Sequence, residues 1–133
     1  MFKKLMLLPM TLLTFAAVSA FGASPLEVYR DQKRVIVLLS DTESHKDRIK
    51  SLKAIHRDPG GIRERDIVVL EENDPRGPLH ERFKVGRGFT VILIGKDGGV
   101  KWTEQETALD LPALFSLIDS MPMRKSESKS RKK

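Results

Sequence analysis

The chain has 133 residues, no cysteine and a formal net charge of +6 at pH 7. Without a thiol it forms no disulfide, offers no thiolate nucleophile or metal ligand, and carries no lipidated N-terminal cysteine. The positive charge lies at the two ends, because residues 124–133 hold six basic residues against one acidic residue and Lys3 and Lys4 lie near the start. The middle of the chain is therefore near neutral, so the basic charge is no evidence of a nucleic-acid-binding face.

Residues 1–20 have the three parts of a secretory signal peptide. Lys3 and Lys4 form the basic part, residues 5–18 are apolar, and small residues lead up to Ala20. We predict cleavage after Ala20, with cleavage after Ala23 as the alternative. The apolar run is shorter than the ~20 residues that span a bilayer, so a cleaved signal is favoured over a membrane anchor. We expect an exported protein, periplasmic or secreted, with one domain over residues 21–123.

The first predicted strand of this domain, residues 35–39, is apolar on both faces, which is typical of a sheet covered on both sides. A polar helix follows and runs to about Arg57. Three residues are candidates for its N-cap: Asp41, Thr42 and Ser44. Its predicted inward positions are spaced three apart: Ile49, Leu52 and Ile55. The sequence Asp-Pro-Gly-Gly at 58–61 ends the helix, because proline and paired glycines interrupt helices.

The second strand is predicted at residues 67–70, again apolar on both faces, and a short helix follows around 79–85. The third strand spans 89–94. An Asp-Gly pair, Asp97 and Gly98, then lies between apolar runs and predicts a tight hairpin with a type I′ turn. The fourth strand starts at Val100 and alternates, with Val100 and Trp102 on one face and Lys101 and Thr103 on the other.

Asp110 is predicted to cap the last helix, which carries a broad apolar stripe. The stripe consists of Leu111, Leu114, Phe115, Leu117, Ile118 and Met121. Residues 124–133 are rich in charge and have no apolar side chain, so we expect a basic disordered tail. The predicted order is β-α-β-α-β-β-α, an α/β domain with a central four-stranded mixed sheet on the thioredoxin-like plan.

The segment Phe89-Thr90-Val91-Ile92-Leu93-Ile94-Gly95-Lys96-Asp97-Gly98-Gly99-Val100-Lys101 resembles the signature hairpin of the bacterial exported family called domain of unknown function 4174. Three further segments are similar to the same family: Ser24-Pro25-Leu26-Glu27, Glu64-Arg65-Asp66 and Met121-Pro122-Met123-Arg124. The resemblance implies a thioredoxin-like domain related to domains of animal sushi-repeat-containing extracellular proteins. It implies no reaction, because the family has no established activity.

Redox-active thioredoxins carry a Cys-x-x-Cys motif after the first strand and a cis-proline before the third. The corresponding segment 86–90 contains no proline, and no cysteine exists. The degenerate redox-motif region is Ser40, Asp41, Thr42, Glu43, Ser44 and His45. Thiol–disulfide oxidoreductase and peroxidase activities are therefore excluded. Arg48, Arg87 and Lys101 are candidates for a small anion pocket near this region, next to a helix N-terminus.

His45, beside Ser40 and Ser44, has two interpretations. One is a Ser/His pair of the kind that activates a hydroxyl nucleophile, and the other is an exposed histidine at a capped helix N-terminus. The second is favoured, since no orienting carboxylate can be assigned. The histidines His45, His56 and His80 have no metal-ligand spacing, so no catalytic residue, metal site or cofactor is predicted.

These patterns favour a non-catalytic binding or interaction module whose partner is an unknown protein or small-molecule ligand. Two alternatives stay open: a non-redox enzyme that uses the rim of the degenerate site, and a binder of polyanions or anionic membrane surfaces that works through residues 124–133. Specific nucleic-acid binding is not expected.

Overall fold

The computed structural model describes residues 26–132; the predicted signal peptide and its cleavage sites after Ala20 and Ala23 lie outside these residues. After a 3₁₀ turn at Glu27–Tyr29, the described elements are β1 (Arg34–Ser40), α1 (Lys46–Arg57), α2 (Pro59–Glu64), β2 (Ile67–Glu72), α3 (Pro78–Phe83), β3 (Phe89–Ile94), β4 (Val100–Gln105), α4 (Leu111–Asp119) and α5 (Pro122–Lys132). Over residues 26–132, no helix is both long and apolar enough to cross a bilayer.

The sheet has the order β2-β1-β3-β4, with β1 parallel to β2 and antiparallel to β3, and β3 antiparallel to β4. Every residue of β1 is buried, because helices cover both faces of the sheet. One apolar cluster lies against α1 and α4, and the other lies against α3 and the segment around Leu26. The predicted mixed four-stranded sheet is confirmed.

The N-cap of α1 differs from the prediction. The helix begins at Lys46 and its N-cap is His45, whose Nδ1 accepts a hydrogen bond from the backbone N of Asp47 at 3.1 Å. The three predicted caps, Asp41, Thr42 and Ser44, are wrong, because the chain stays in a loop until His45.

The inward face of α1 is also narrower than predicted. Ile55 is buried and Leu52 half-buried, but Ile49 is 39% exposed and does not belong to the core. The buried stripe instead passes through Ser51, which is 0% exposed. Its Oγ accepts from the backbone N of Leu109 at 2.8 Å, so a small polar residue lies at an inward position that the prediction did not include.

The segment 58–61 ends α1 and also begins α2. Asp58 caps the second helix, since its Oδ1 accepts from the backbone N of Gly61 at 2.9 Å. Pro59 occupies the first turn, where a missing N–H costs nothing. A Cβ at Gly61 would lie 2.5 Å from the ring of Phe115, so α2 approaches α4 closely.

The hairpin turn is not the predicted type I′. Among its residues only Gly98 has a positive φ, 87°, whereas type I′ requires a positive φ at Asp97 as well. The backbone N of Gly98 donates to the O of Gly95 at 3.0 Å, which describes a three-residue loop with a glycine bulge. Asp97 stabilises this form by accepting from the backbone N of Gly99 at 2.9 Å.

The prediction of a disordered tail is wrong for residues 124–132, which belong to α5. The inward residues of α5 are polar and recur at helical spacing: Arg124, Glu127, Ser128 and Arg131. A helix can therefore dock through charged side chains where no apolar stripe exists.

Two buried arginines explain the docking of α5. Arg34, 1% exposed at the start of β1, donates to both carboxylate oxygens of Glu127 at 3.1 and 3.2 Å. Lys96 adds a second cation at 2.7 Å from Glu127. Arg124, 3% exposed, pairs with Glu64 at 2.6 Å. We call Arg34, Glu64, Lys96, Arg124 and Glu127 the ion network.

The charges around α5 shift the pKa values of two carboxylates. Burial by itself would raise the pKa of Glu127, but the bonds from Arg34 and Lys96 outweigh it and hold that pKa below its ordinary value. Burial and Lys96 act in the same opposing way at Asp66, and its pKa is also lowered. Both carboxylates therefore stabilise the fold only while they are ionised.

Truncation after Met123 should destabilise the domain by about 3–5 kcal/mol, the usual cost of leaving a buried charge such as Arg34 without its partner. The midpoint of urea denaturation measures this effect. Lys125→Ala, on the exposed face of α5, is the control and should be nearly neutral. A truncated chain with the full-length midpoint would show that α5 does not stabilise the fold.

The free energy of unfolding should fall as the pH drops below about 4, the ordinary carboxyl range. The pKa values of Glu127 and Asp66 are lowered in the folded state, so their contribution is complete above the unfolded values and is lost as the pH falls through the folded values. Urea midpoints across this range measure the slope. Glu127→Gln should flatten it and Glu81→Gln, an exposed change on α3, should not; equal slopes in both variants would contradict the assignment.

Candidate functional site

The degenerate redox-motif region, residues 40–45, lies at the carboxyl end of β1, as the sequence predicts. Ser40, the last residue of β1, is paired across the sheet with Phe89, the first residue of β3. The loop 41–45 and the segment 86–88 therefore meet at one edge of the sheet. Ligand sites of α/β sheets commonly lie at this edge, so its polar groups decide what it can do.

Two carboxylates close this edge by binding backbone amides. The N of Gly88 donates to Asp41 Oδ2 at 3.0 Å, and the N of Asp41 donates to the O of Gly88 at 3.2 Å. The N of Phe89 donates to Glu106 Oε1 at 2.8 Å, and the N of Glu106 donates to the O of Phe89 at 2.7 Å. We call these four residues, Asp41, Gly88, Phe89 and Glu106, the carboxylate clasp.

The clasp requires unusual backbone geometry at two positions. Gly88 has a φ of 89° and Glu106 a φ of 57°. A Cβ at Gly88 would collide with the carboxylate of Glu106, so glycine is needed both for the φ and for the close approach. The segment 86–88 has no cis peptide, and among the described residues none occurs. The clasp therefore occupies the segment in which redox-active thioredoxins carry a cis-proline.

The hydroxyl groups of the degenerate motif are engaged within the loop. Ser40 is fully buried, and its Oγ donates to the O of Thr42 at 2.5 Å. The Oγ atoms of Ser44 and Thr42 lie 3.5 Å apart. His45 uses Nδ1 as a helix cap and stacks on the ring of Phe89 with 5.7 Å between centroids. Within residues 26–132 no serine bonds to His45, so the structure supports the capped-helix interpretation over a Ser/His pair.

The three residues predicted to line an anion pocket do not converge. Arg48 donates to the O of Glu43 at 2.6 Å and pairs with Glu71 at 2.8 Å. Arg87 is exposed beside the clasp, at the start of β3. Lys101 lies at the other end of the β3–β4 hairpin and pairs with Asp97 at 2.8 Å. A six-residue strand, roughly 20 Å long, separates Arg87 from Lys101.

Sequence reasoning missed a buried carboxylate–imidazole pair at the same edge. Glu72 is paired with Leu39 across the sheet and accepts from the backbone N of Leu79 at 3.0 Å and of His80 at 2.6 Å. Its Oε1 also lies 2.7 Å from Nδ1 of His80, which is 1% exposed. The sequence did contain one signal for this pair. The helix α3 starts at Pro78, six residues after Glu72, and its N-cap residue Gly77 has no side chain to accept from the first amides of the helix.

This pair closes α3 onto the sheet. The Nε2 of His80 is buried and has no hydrogen-bond partner among the described residues. A general base needs a reacting group within hydrogen-bond reach, and none of the described residues places one at this nitrogen. In the part of the chain that the structure describes, no cluster of three or more carboxylates and histidines is arranged to hold a metal ion.

The sheet order, the parallel crossover from β1 to β2 and the antiparallel hairpin of β3 and β4 define a thioredoxin-like fold, and solved structures support it. The chain is similar to the reduced 2-Cys peroxiredoxin of Plasmodium vivax, with TM-score 0.59 and 12% identity over 76% of this chain and 84% of that one. It is also similar to Plasmodium yoelii Prx1a modified at the N-terminus, with TM-score 0.53 and 14% identity over 76% and 80%. Plasmodium yoelii thioredoxin peroxidase I gives TM-score 0.54 and 13% identity over 76% and 79%. Identities this low show the fold alone.

The particular family follows from the sequence. The model of the Domain of unknown function (DUF4174) matches residues 25–127, and the chain belongs to this family. The match extends through Glu127, the α5 residue that neutralises Arg34. No curated protein is similar enough to the chain to count as a match.

Asp41→Ala should destabilise the domain by about 1–3 kcal/mol, because the backbone N of Gly88 loses its acceptor in a part-buried place. Chemical denaturation measures the change. Glu43→Ala is the matched control, since Glu43 is an exposed acid two residues away whose side chain lies outside the clasp. If the two variants unfolded alike, the carboxylate of Asp41 would have no structural role.

Proposed function

We propose that the protein is an exported, non-catalytic binding module built on a thioredoxin-like domain. The carboxylate clasp carries this proposal. At the edge where redox relatives hold their thiols, Asp41 and Glu106 fill the amide donors of Gly88 and Phe89. These backbone amides and carboxylates could otherwise act on a substrate, but they are already bonded to one another. The chain also has no thiol.

Export is supported by the sequence of residues 1–20, which has the basic, apolar and small-residue parts of a signal peptide. A domain without cysteine gains nothing from an oxidising compartment, so its stability must come from other sources. The two apolar clusters and the ion network supply them. Such a domain keeps its fold in the periplasm or outside the cell whatever the redox state.

The two rival functions find less support in the contacts. An enzyme at the degenerate edge would need a free nucleophile, but Ser40 is buried and bonded to Thr42. A polyanion binder would use the basic residues of the C-terminal segment. Arg124 is buried against Glu64, and the exposed Arg131 pairs with Asp66 at 3.1 Å, so two of its cations already have carboxylate partners in the domain.

The purified mature protein should show no turnover in insulin reduction, peroxide reduction or ester hydrolysis, because the chain has no thiol and, within residues 26–132, no serine bonds to His45. Each assay is run beside Ser40→Ala and His45→Ala variants. Turnover that stays with the pure protein and disappears in either variant would overturn the non-catalytic proposal. Equal background in all three proteins is the expected result.

Protein recovered from the periplasm or medium of an expressing bacterium should begin at Phe21 if cleavage follows Ala20. N-terminal sequencing and intact mass give the position, and a start at Ser24 would select the alternative site after Ala23. A chain lacking residues 2–20 is the control and should stay inside the cell. An exported protein that kept Met1 would rule out a cleaved signal.

A further inference from the structure

We propose that a cleft at the hairpin end of the sheet binds small organic anions with an apolar body. It has a volume of about 240 Å³ and lies beside the turn Gly95–Gly99, at the amino end of β1. Arg30, Lys33 and Arg82 line it, and we call it the basic cleft. This end of the sheet is opposite the carboxylate clasp, so the two places share no residue.

The three cations reach the basic cleft from distant parts of the chain. Arg30 and Lys33 precede β1, whereas Arg82 lies on α3 about fifty residues later. All three are exposed at the rim. The folded chain gathers like charges here although their mutual repulsion opposes it, which makes the cleft attractive to an anion. Arginine suits this role, because its planar guanidinium binds a carboxylate or phosphate through two bonds.

Two acidic residues also line the basic cleft, and one of them is already neutralised. Asp97 accepts from Lys101 Nζ at 2.8 Å and from the backbone N of Gly99 at 2.9 Å. The other, Glu27, is exposed on the 3₁₀ turn. With Asp97 neutralised by Lys101, Arg30 and Lys33 outweigh the single negative charge of Glu27 at the rim.

The segment that carries Arg30 and Lys33 is held in place before any ligand binds. The backbone N of Asp31 donates to the O of Lys96 at 2.6 Å, and Asp31 takes a φ of 67° to make this contact. The backbone N of Lys33 donates to the O of Tyr29 at 2.8 Å. A cleft whose walls are already ordered loses less conformational entropy on binding.

The apolar surface that a ligand can reach in the basic cleft comes from Tyr29, which is half-buried at its side. Val35 and Ile94 are paired across the sheet beneath the cleft and are themselves buried. Gly98 leaves the wall without a side chain, and the side chain of Arg30 lies about 3.6–3.8 Å from where a Cβ would be. The volume is below the ~300–1,000 Å³ of sites for drug-sized ligands, which limits the ligand to about one ring. A ring or short chain with one carboxylate or phosphate fits this chemistry.

The inference gives the proposed binding function a place and a ligand class and rests on that function. NMR titration of the full mature protein with benzoate, phenyl phosphate and neutral benzyl alcohol tests it. Benzoate or phenyl phosphate should shift the amide signals of Gly98 and Gly99 in a saturable manner, and benzyl alcohol should not. The stronger of the two anions identifies a carboxylate or a phosphate as the natural group.

The double change Arg30→Gln and Lys33→Gln should weaken binding at least about tenfold, as expected for the loss of charged hydrogen bonds. The matched control is Lys50→Gln with Lys53→Gln on the exposed face of α1, which removes the same number of charges and should leave binding unchanged. The proposal that the basic cleft binds anions would be overturned if neither anion gave a saturable shift, or if both double variants weakened anion binding equally. Either result leaves the non-catalytic proposal standing, because that proposal is decided by the turnover assays.

Discussion

The buried guanidinium of Arg34 is the constraint on which the domain depends. It stands at the start of the central strand, 1% exposed, where a charge without a partner would be costly. Its counter-charge, Glu127, comes from the last helix, 93 residues away. The residues after α4 are therefore part of the domain, which agrees with a family match that reaches residue 127. Arg65 completes the arrangement by offering its backbone O to Arg34 at 2.9 Å.

The two ends of the sheet have taken different roles. At the carboxyl end of β1, acidic side chains fill the amide donors of Gly88 and Phe89, and the edge becomes a structural joint. At the amino end, Arg30 and Lys33 lie at the rim of a small cleft beside the half-buried ring of Tyr29. A fold whose usual reaction is chemically impossible can thus keep its architecture while binding chemistry is available elsewhere on its surface.

The strands and the helix α4 could be predicted because their signals are local. Runs that are apolar on both faces recur at β1 and β3, and Asp110 caps α4 through the N of Ala113 as expected. The helix α5 could not be predicted in this way, because its charged stripe has the same composition as a solvated tail. Only the distant partners Arg34 and Glu64 distinguish the two, and their proximity is a property of the fold.

The candidate site was predictable in what it lacks and unpredictable in what replaces it. The missing thiol can be read from the composition. The clasp, in contrast, depends on a φ of 57° at Glu106, and no local sequence pattern predicts this backbone conformation. Such a backbone is unfavourable for a residue with a side chain and persists only where surrounding bonds enforce it. Glu106 makes two such bonds to Phe89, through its backbone and its carboxylate. The strain at Glu106 is therefore balanced by bonds that hold the end of β4 against the start of β3.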